Sequence, residues 1–195
     1  MADPLADRWY ETFLRTVQAH ETAGPLREAA IRSHLAKWTS ILTTVVVDTC
    51  QAMGWIAAAR GHRSNLLPIP REEYLSLDAV AFESAGNRRW RFPLAVFELE
   101  NGSDDDRVAY SLWKVLSVRS SLRTVFCYRR DSANGVELVR HLADQVILSL
   151  GVAERMAMSG ETMVIVGSRN EAATFPYGFF KSWLLDPNTG RFTRP

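Results

Sequence analysis

Lysine is nearly absent from this chain. It stands only at Lys37, Lys114 and Lys181, so arginine carries most of the positive charge. Arginine's planar fork suits phosphate and carboxylate groups, although a GC-rich genome produces the same bias without any function. Cysteine is as scarce. Cys50 and Cys127, each inside an apolar run, are too few for a disulfide framework or a zinc site and read as buried free thiols. No uninterrupted apolar run reaches the roughly 18 residues of a membrane span. The most apolar stretch, Ile41 to Ala59, is interrupted by Asp48, Gln51 and Gly54 and reads as a core helix. Gly-rich phosphate loops, Ser or Cys nucleophile motifs, internal repeats and histidines at metal-ligand spacing are all missing. The opening MADPLADRWYETFL has acids where a signal peptide needs a basic region, which makes a cytoplasmic location the expectation. Neither sign of charge dominates: a net charge of +1 leaves any role in nucleic-acid binding to the distribution of charge.

What is present is an ordinary globular composition, 47% hydrophobic and 23% charged over 195 residues, enough for one domain with a sizeable core. Residues 1–60 read as a helical region and 70–195 as an α/β core. Leu5, Trp9, Phe13 and Val17 recur at every fourth place, predicting a first helix. From Leu26 a helical pattern runs through Ile31, Leu35, Trp38 and Leu42, with a bend expected near Thr39 and Ser40. After a Gly- and Pro-marked connection come strand-like runs at Tyr74 to Phe82 and Pro93 to Asn101, joined by a loop containing Gly86 and Asn87. A helix follows with Val108, Leu112, Val115 and Leu116 on one face, then a strand at Leu122 to Arg129. Asn134 and Gly135 precede another helix, and the chain closes with a strand at Thr162 to Val166 and an aromatic run at Phe175 to Leu185. A strand, helix, strand step favours a right-handed parallel crossover, so the expected fold is α/β: a mixed β-sheet flanked by helices.

The stretch PLAVFELEN, Pro93 to Asn101, organises the functional reading. Alternate strand residues share a face, so Glu98 and Glu100 point the same way, roughly 6.5 to 7 Å apart. Carboxylates that close repel unless a cation, a shared proton or water relieves them. Upstream, Asp78 interrupts a strand-like run, where Asp is disfavoured. A hairpin would bring Asp78 to the glutamates and make a cation site. The bland alternative is a solvated sheet face. Against it, the same faces carry Val80, Phe82, Leu94 and Val96, which need cover.

An Asp on one strand, an acid-x-polar triplet ending the next, then a helix and a parallel strand resembles the PD-(D/E)XK, or restriction-endonuclease-like, nuclease superfamily. The resemblance spans about Tyr74 to Arg129. It implies Asp78 and Glu98 as ligands of Mg2+ or Mn2+, with Glu100 in the place usually held by lysine, as in some restriction endonucleases of the family. Leu77 stands where the family usually has proline. Lys114 is a further candidate, because in some relatives a helix lysine replaces the missing strand lysine. Its helical angle away from Leu112 and Leu116 predicts plain solvent exposure instead. Glu28 and Asp48 are the upstream acids that could enter from a helix. Asp104 to Asp106 are expected to cap a helix. Arg88, Arg89 and Arg91, around Trp90, form a basic loop suited to a phosphate backbone or, equally, a solvated hairpin tip. The resemblance thus implies a magnesium-dependent nuclease acting on DNA, with no membrane. A nuclease-like fold that has lost catalysis and serves as a binding or assembly module is the alternative. Small nucleases of this kind often work as dimers, and the aromatic run Phe175 to Trp183 is the expected homodimer edge.

Overall fold

The computed structural model describes residues 4 to 194 apart from 20, 22, 33, 87 and 88. A seven-stranded sheet runs in chain order: β1 (Trp55–Ala59), β2 (Ala79–Glu83), β3 (Ala95–Leu99), β4 (Leu122–Arg129), β5 (Glu161–Ser168), β6 (Phe180–Asp186) and β7 (Arg191–Thr193). The β3–β4 and β4–β5 pairs are parallel and the rest antiparallel, so this is the mixed sheet flanked by helices that the sequence predicts. On one face lie α1 (Leu5–Ala19), α2 (Ala23–Ile31) and α3 (Leu35–Ala52); on the other lie α4 (Asp105–Leu116) and α5 (Ser132–Gln145). Strand alternation sorts the two cores. Ala79, Ala81, Ala95 and Phe97 face α1 and α3, whereas Val80, Phe82 and Val96 face α4 and α5. The face that also carries Glu98 is therefore covered.

Four local expectations are corrected. The break after Ile31 replaces the bend foreseen at Thr39 and Ser40, because the hydroxyls there turn inward: Thr39 and Thr44 each donate to a carbonyl one turn earlier and leave α3 intact. The helix read from Ile41 to Ala59 stops at Ala52, where Gly54, at φ 76°, reverses the chain into β1. The strand foreseen from Tyr74 starts only at Ala79, since Leu75 and Ser76 both sit in the left-handed region, at φ 58° and 55°. Asn134 and Gly135 lie inside α5, which begins one turn earlier because Asp131 accepts from the Asn134 N–H at 3.0 Å.

The aromatic run is not an edge. Phe180 is buried against Phe13 of α1, Phe179 against Tyr128 and Phe180, and β6 is paired on both sides. Both cysteines are free and buried, as expected, and burial pushes both thiols up to about 12. Among the described residues no helix is long and apolar enough to cross a membrane.

The first helix is fixed by a residue from the far end of the chain. Glu161, opening β5, accepts from the Leu5 N–H at 3.1 Å and the Ala6 N–H at 2.6 Å, satisfying two orphan donors of α1. Trp9 and Phe13 then stack at 5.4 Å and pack on Phe97 and Phe126 of the sheet. Glu161→Ala is expected to lower stability by about 0.5–2 kcal/mol, as loss of a cap does. Urea unfolding measures it, and an unchanged midpoint would show that α1 is held by its apolar face alone.

Candidate functional site

The site is built where β2 begins and β3 ends. Ala79 pairs with Phe97, so the next step of the antiparallel register sets Asp78 opposite Glu98 with both side chains on the α4 face. Two contacts hold them there. The Leu99 N–H donates to Asp78 Oδ2 at 2.7 Å, and the Asp78 N–H reaches Glu98 Oε1 at 3.4 Å. Glu98 is only 5% exposed and Asp78 is half-buried.

Lys114 completes the cluster. Its Nζ lies 2.8 Å from Glu98 Oε1 and donates at 2.8 Å to the carbonyl of Ser76, whose left-handed backbone belongs to the turn leading into Asp78. The expectation of solvent exposure is overturned. Its Cα does sit well round the helix from Leu112, but the four-carbon stem bends back over α4 and carries the ammonium to the acids.

Burial dominates the electrostatics. It raises Glu98 from 4.5 to about 7, and the Asp78 charge adds to the rise while Lys114 opposes it. Asp78 is raised for the same reason, with the Leu99 N–H and Lys114 pulling the other way and Glu73 and Glu100 adding repulsion.

Glu100 stays in the ladder, its N–H bonded to the Phe126 carbonyl at 2.9 Å, but its Oε1 turns to accept from the Gly102 N–H at 2.7 Å. A side chain at position 102 would meet that oxygen at 2.8 Å. Among the described residues no three His, Cys, Asp or Glu side chains group closely enough to hold a metal ion, so Glu100 does not join Asp78 and Glu98 as a third ligand. Of the upstream acids, Glu28 pairs with Arg32 at 3.3 Å on exposed α2, and Asp48 rides on α3, which packs on the other sheet face. Asp104 caps α4 as expected, accepting from the Asp106 N–H at 3.0 Å, and Asp105 pairs with Arg129.

No protein-family model matches the chain, and no curated protein matches it. Among solved structures it is similar to P. aeruginosa ATCC27853 NucC in its cAAA-bound form, with 14% identity and a TM-score of 0.47 over 100% of this chain and 85% of that one. A likeness this distant does not assign a family.

The basic loop lies elsewhere. Strands β2 and β3 put the hairpin tip at the opposite end of the sheet, roughly 16 Å from the acids. Arg88 falls outside the described residues, Arg89 is exposed, and Arg91 is turned inward on its own loop, donating to the carbonyls of Glu83 at 2.7 Å and Gly86. The larger cleft, about 640 Å³, is at that end, lined by Trp90, Arg91, Phe92 and Arg119. It contains neither acid. The two carboxylates and the lysine meet at the other end.

Sequence reading passed over Arg107, Tyr110 and Trp113. They flank Lys114 at helical spacings of seven, four and one, a pattern visible only once α4 is known to lie over Glu98.

The raised Glu98 pKa has a consequence for stability. Between 4.5 and about 7 the folded chain holds a proton that the unfolded chain releases. The stabilisation from that proton is full below about pH 4.5 and is lost as pH rises through 7. Glu98→Gln cannot lose it. The melting temperature of this variant relative to wild type should therefore climb between about pH 5 and about pH 8 in metal-free buffer. A difference that stays flat with pH contradicts a proton held by burial.

Proposed function

We propose that the protein is a magnesium- or manganese-dependent phosphodiesterase of nuclease type acting on DNA, with Asp78, Glu98 and Lys114 as its centre. The observation that carries this reading is Lys114 Nζ standing 2.8 Å from Glu98, beside Asp78, at the end of a strand that leads through a helix to a parallel strand. That topology matches the order the nuclease resemblance requires, and the helix lysine stands in for the strand lysine that Glu100 replaces.

The donor set fits a hard divalent cation. Two repelling carboxylates, both with raised pKa, supply charged oxygens, and such ions commonly take only one or two carboxylates, filling other positions with water and phosphate oxygens. When bound, the cation polarises the phosphate and lowers the pKa of a bound water. Asp78 and Glu98 would hold it, each kept in place by a backbone contact to the other's strand. Lys114 orients Glu98 and brings to the phosphate a positive charge and a proton donor that Glu100 cannot provide. Glu100, the next outward carboxylate on the same face, is the group left to take a proton from the attacking water.

One observation favours the second reading, a catalytically inactive nuclease-like fold acting as a binding or assembly module: the acids do not form a group of three. Cleavage assays separate the two. Purified protein should cut DNA with magnesium or manganese and stop with chelator. Glu98→Gln and Asp78→Asn should abolish cutting, and Lys114→Ala should slow it about a hundredfold, the cost of one lost electrostatic contact at a reacting group. Glu100→Lys should remain active, because lysine, the residue the nuclease family usually holds at that place, can orient or activate the water in place of the carboxylate. If single-stranded, duplex and branched DNA all survive intact, the module reading replaces the enzyme. If Glu98→Gln cuts as well as wild type, the centre has been placed wrongly.

A further inference from the structure

The outer face of α4 carries a feature that folding does not explain. Tyr110 and Trp113 are 60% and 58% exposed, yet their rings stack on each other at 5.9 Å with only 23° between planes. Exposed aromatics one helical turn apart form a ready π-surface. Tyr110 is four residues before Lys114 and so lies directly beside it on the helix. Arg107 is one turn further back, placing Arg107, Tyr110 and Lys114 on one stripe about 10 Å long.

The stripe leads into a cleft. Arg107 and Arg169 line a depression of about 590 Å³ with Asn101 and Asp104 at the ends of β3 and β5. The Arg169 guanidinium lies over the Tyr128 ring at 5.0 Å, and its Nε is buried with no partner among the described residues. A buried, positively charged donor left unpaired calls for an acceptor, and an anion would supply it. The acids beside the cleft are engaged, Asp104 in capping α4 and Asp105 with Arg129. Cations and an aromatic pair thus alternate along a path that ends at the Lys114–Glu98 pair.

We infer that the α4 face of Arg107, Tyr110 and Trp113, with Arg169, is a track for single-stranded DNA. Duplex bases present their edges in the grooves and keep their faces stacked on each other, so exposed rings gain little from a duplex. An unpaired strand offers free base faces to Tyr110 and Trp113 and phosphates to Arg107 and Arg169. The inference rests on the proposed function for its substrate class and adds the form of that substrate.

Binding by fluorescence anisotropy, in chelator so that nothing is cut, tests it with a labelled single strand and its duplex. Wild type should bind the single strand more tightly. Tyr110→Ala with Trp113→Ala should weaken that binding about tenfold or more, the loss of at least one stacked base, and leave duplex binding unchanged. Tyr110→Phe with Trp113→Phe, which keeps both rings, should restore most of it. Arg107→Ala should reduce the salt slope on single strands by about 0.7. The track is overturned if the double Ala variant binds the single strand as wild type does, if it loses duplex binding equally, or if wild type binds neither. Because no cutting is involved, the outcome is independent of the enzyme reading. A chain that binds single strands through these rings but never cleaves loses the proposed function alone, and one that cleaves with the rings removed and single-strand binding intact loses the track alone.

Discussion

A buried carboxylate next to a second one needs a cation, and the ion pair between Glu98 and Lys114 is how the folded chain meets that need. Removing a charge from water is costly, and an ion pair in such a place recovers that cost only when its geometry is good and its remaining donors and acceptors are satisfied. Here the geometry is set by three separate pieces of backbone. The end of β3 fixes Glu98, the left-handed turn at Leu75 and Ser76 aims a carbonyl at Lys114 Nζ, and the start of β2 places Asp78 across the ladder. Apolar residues of similar size would pack that space without any such arrangement. The fold keeps two acids and a lysine there instead, and burial leaves Glu98 raised to about 7 even with its partner in place.

The architecture concentrates chemistry at one end of the sheet. Parallel strands β3, β4 and β5 all finish at the same end, where Glu98, Arg129 and Arg169 follow one another. The helix α4 starts from that end and lies back across β3 and β4, so its outer side chains flank the same region as the acids beneath it. The hairpin tip, with its arginines and its larger cleft, is left at the other end, and Arg91 there serves its own loop. Reach decides which basic residues can take part: Lys114 is on the spot, whereas a residue of the tip is about the length of the strand away.

Much of this was legible in the sequence, because it follows from strand alternation. The hairpin, the crossover through α4, the exact span of β4 and the facing of Asp78 toward Glu98 all rest on period-two patterning over Val80, Val96 and their neighbours. What the sequence hid had local causes. β1 is Trp55, Ile56 and three alanines soon after a long apolar helix, and only Gly54 marks the change. Thr39 and Ser40 look like helix breakers, but the hydroxyls of Thr39, Thr43 and Thr44 bond back one turn and the helix runs through, so the break falls after Ile31 instead. Phe179 and Phe180 read as a sticky edge, but a run of aromatics is equally what a sheet closed over by α1 requires. Lys114 is a candidate in the sequence, but the exposure expected of it was wrong: helical angle describes where a Cα points, and a lysine stem is long enough to go round the helix to a charge that needs it.

The central claim is that Asp78 and Glu98 together form a divalent-cation site served by Lys114. Crystals soaked in manganese test it most directly, because the ion is located by its anomalous signal independently of any activity. The account predicts a peak between the two carboxylates, at roughly 2.0–2.6 Å from an oxygen of each, as oxygen-ligated ions require. A soaked crystal with no peak there, or with manganese only at Asp104 to Asp106, contradicts it.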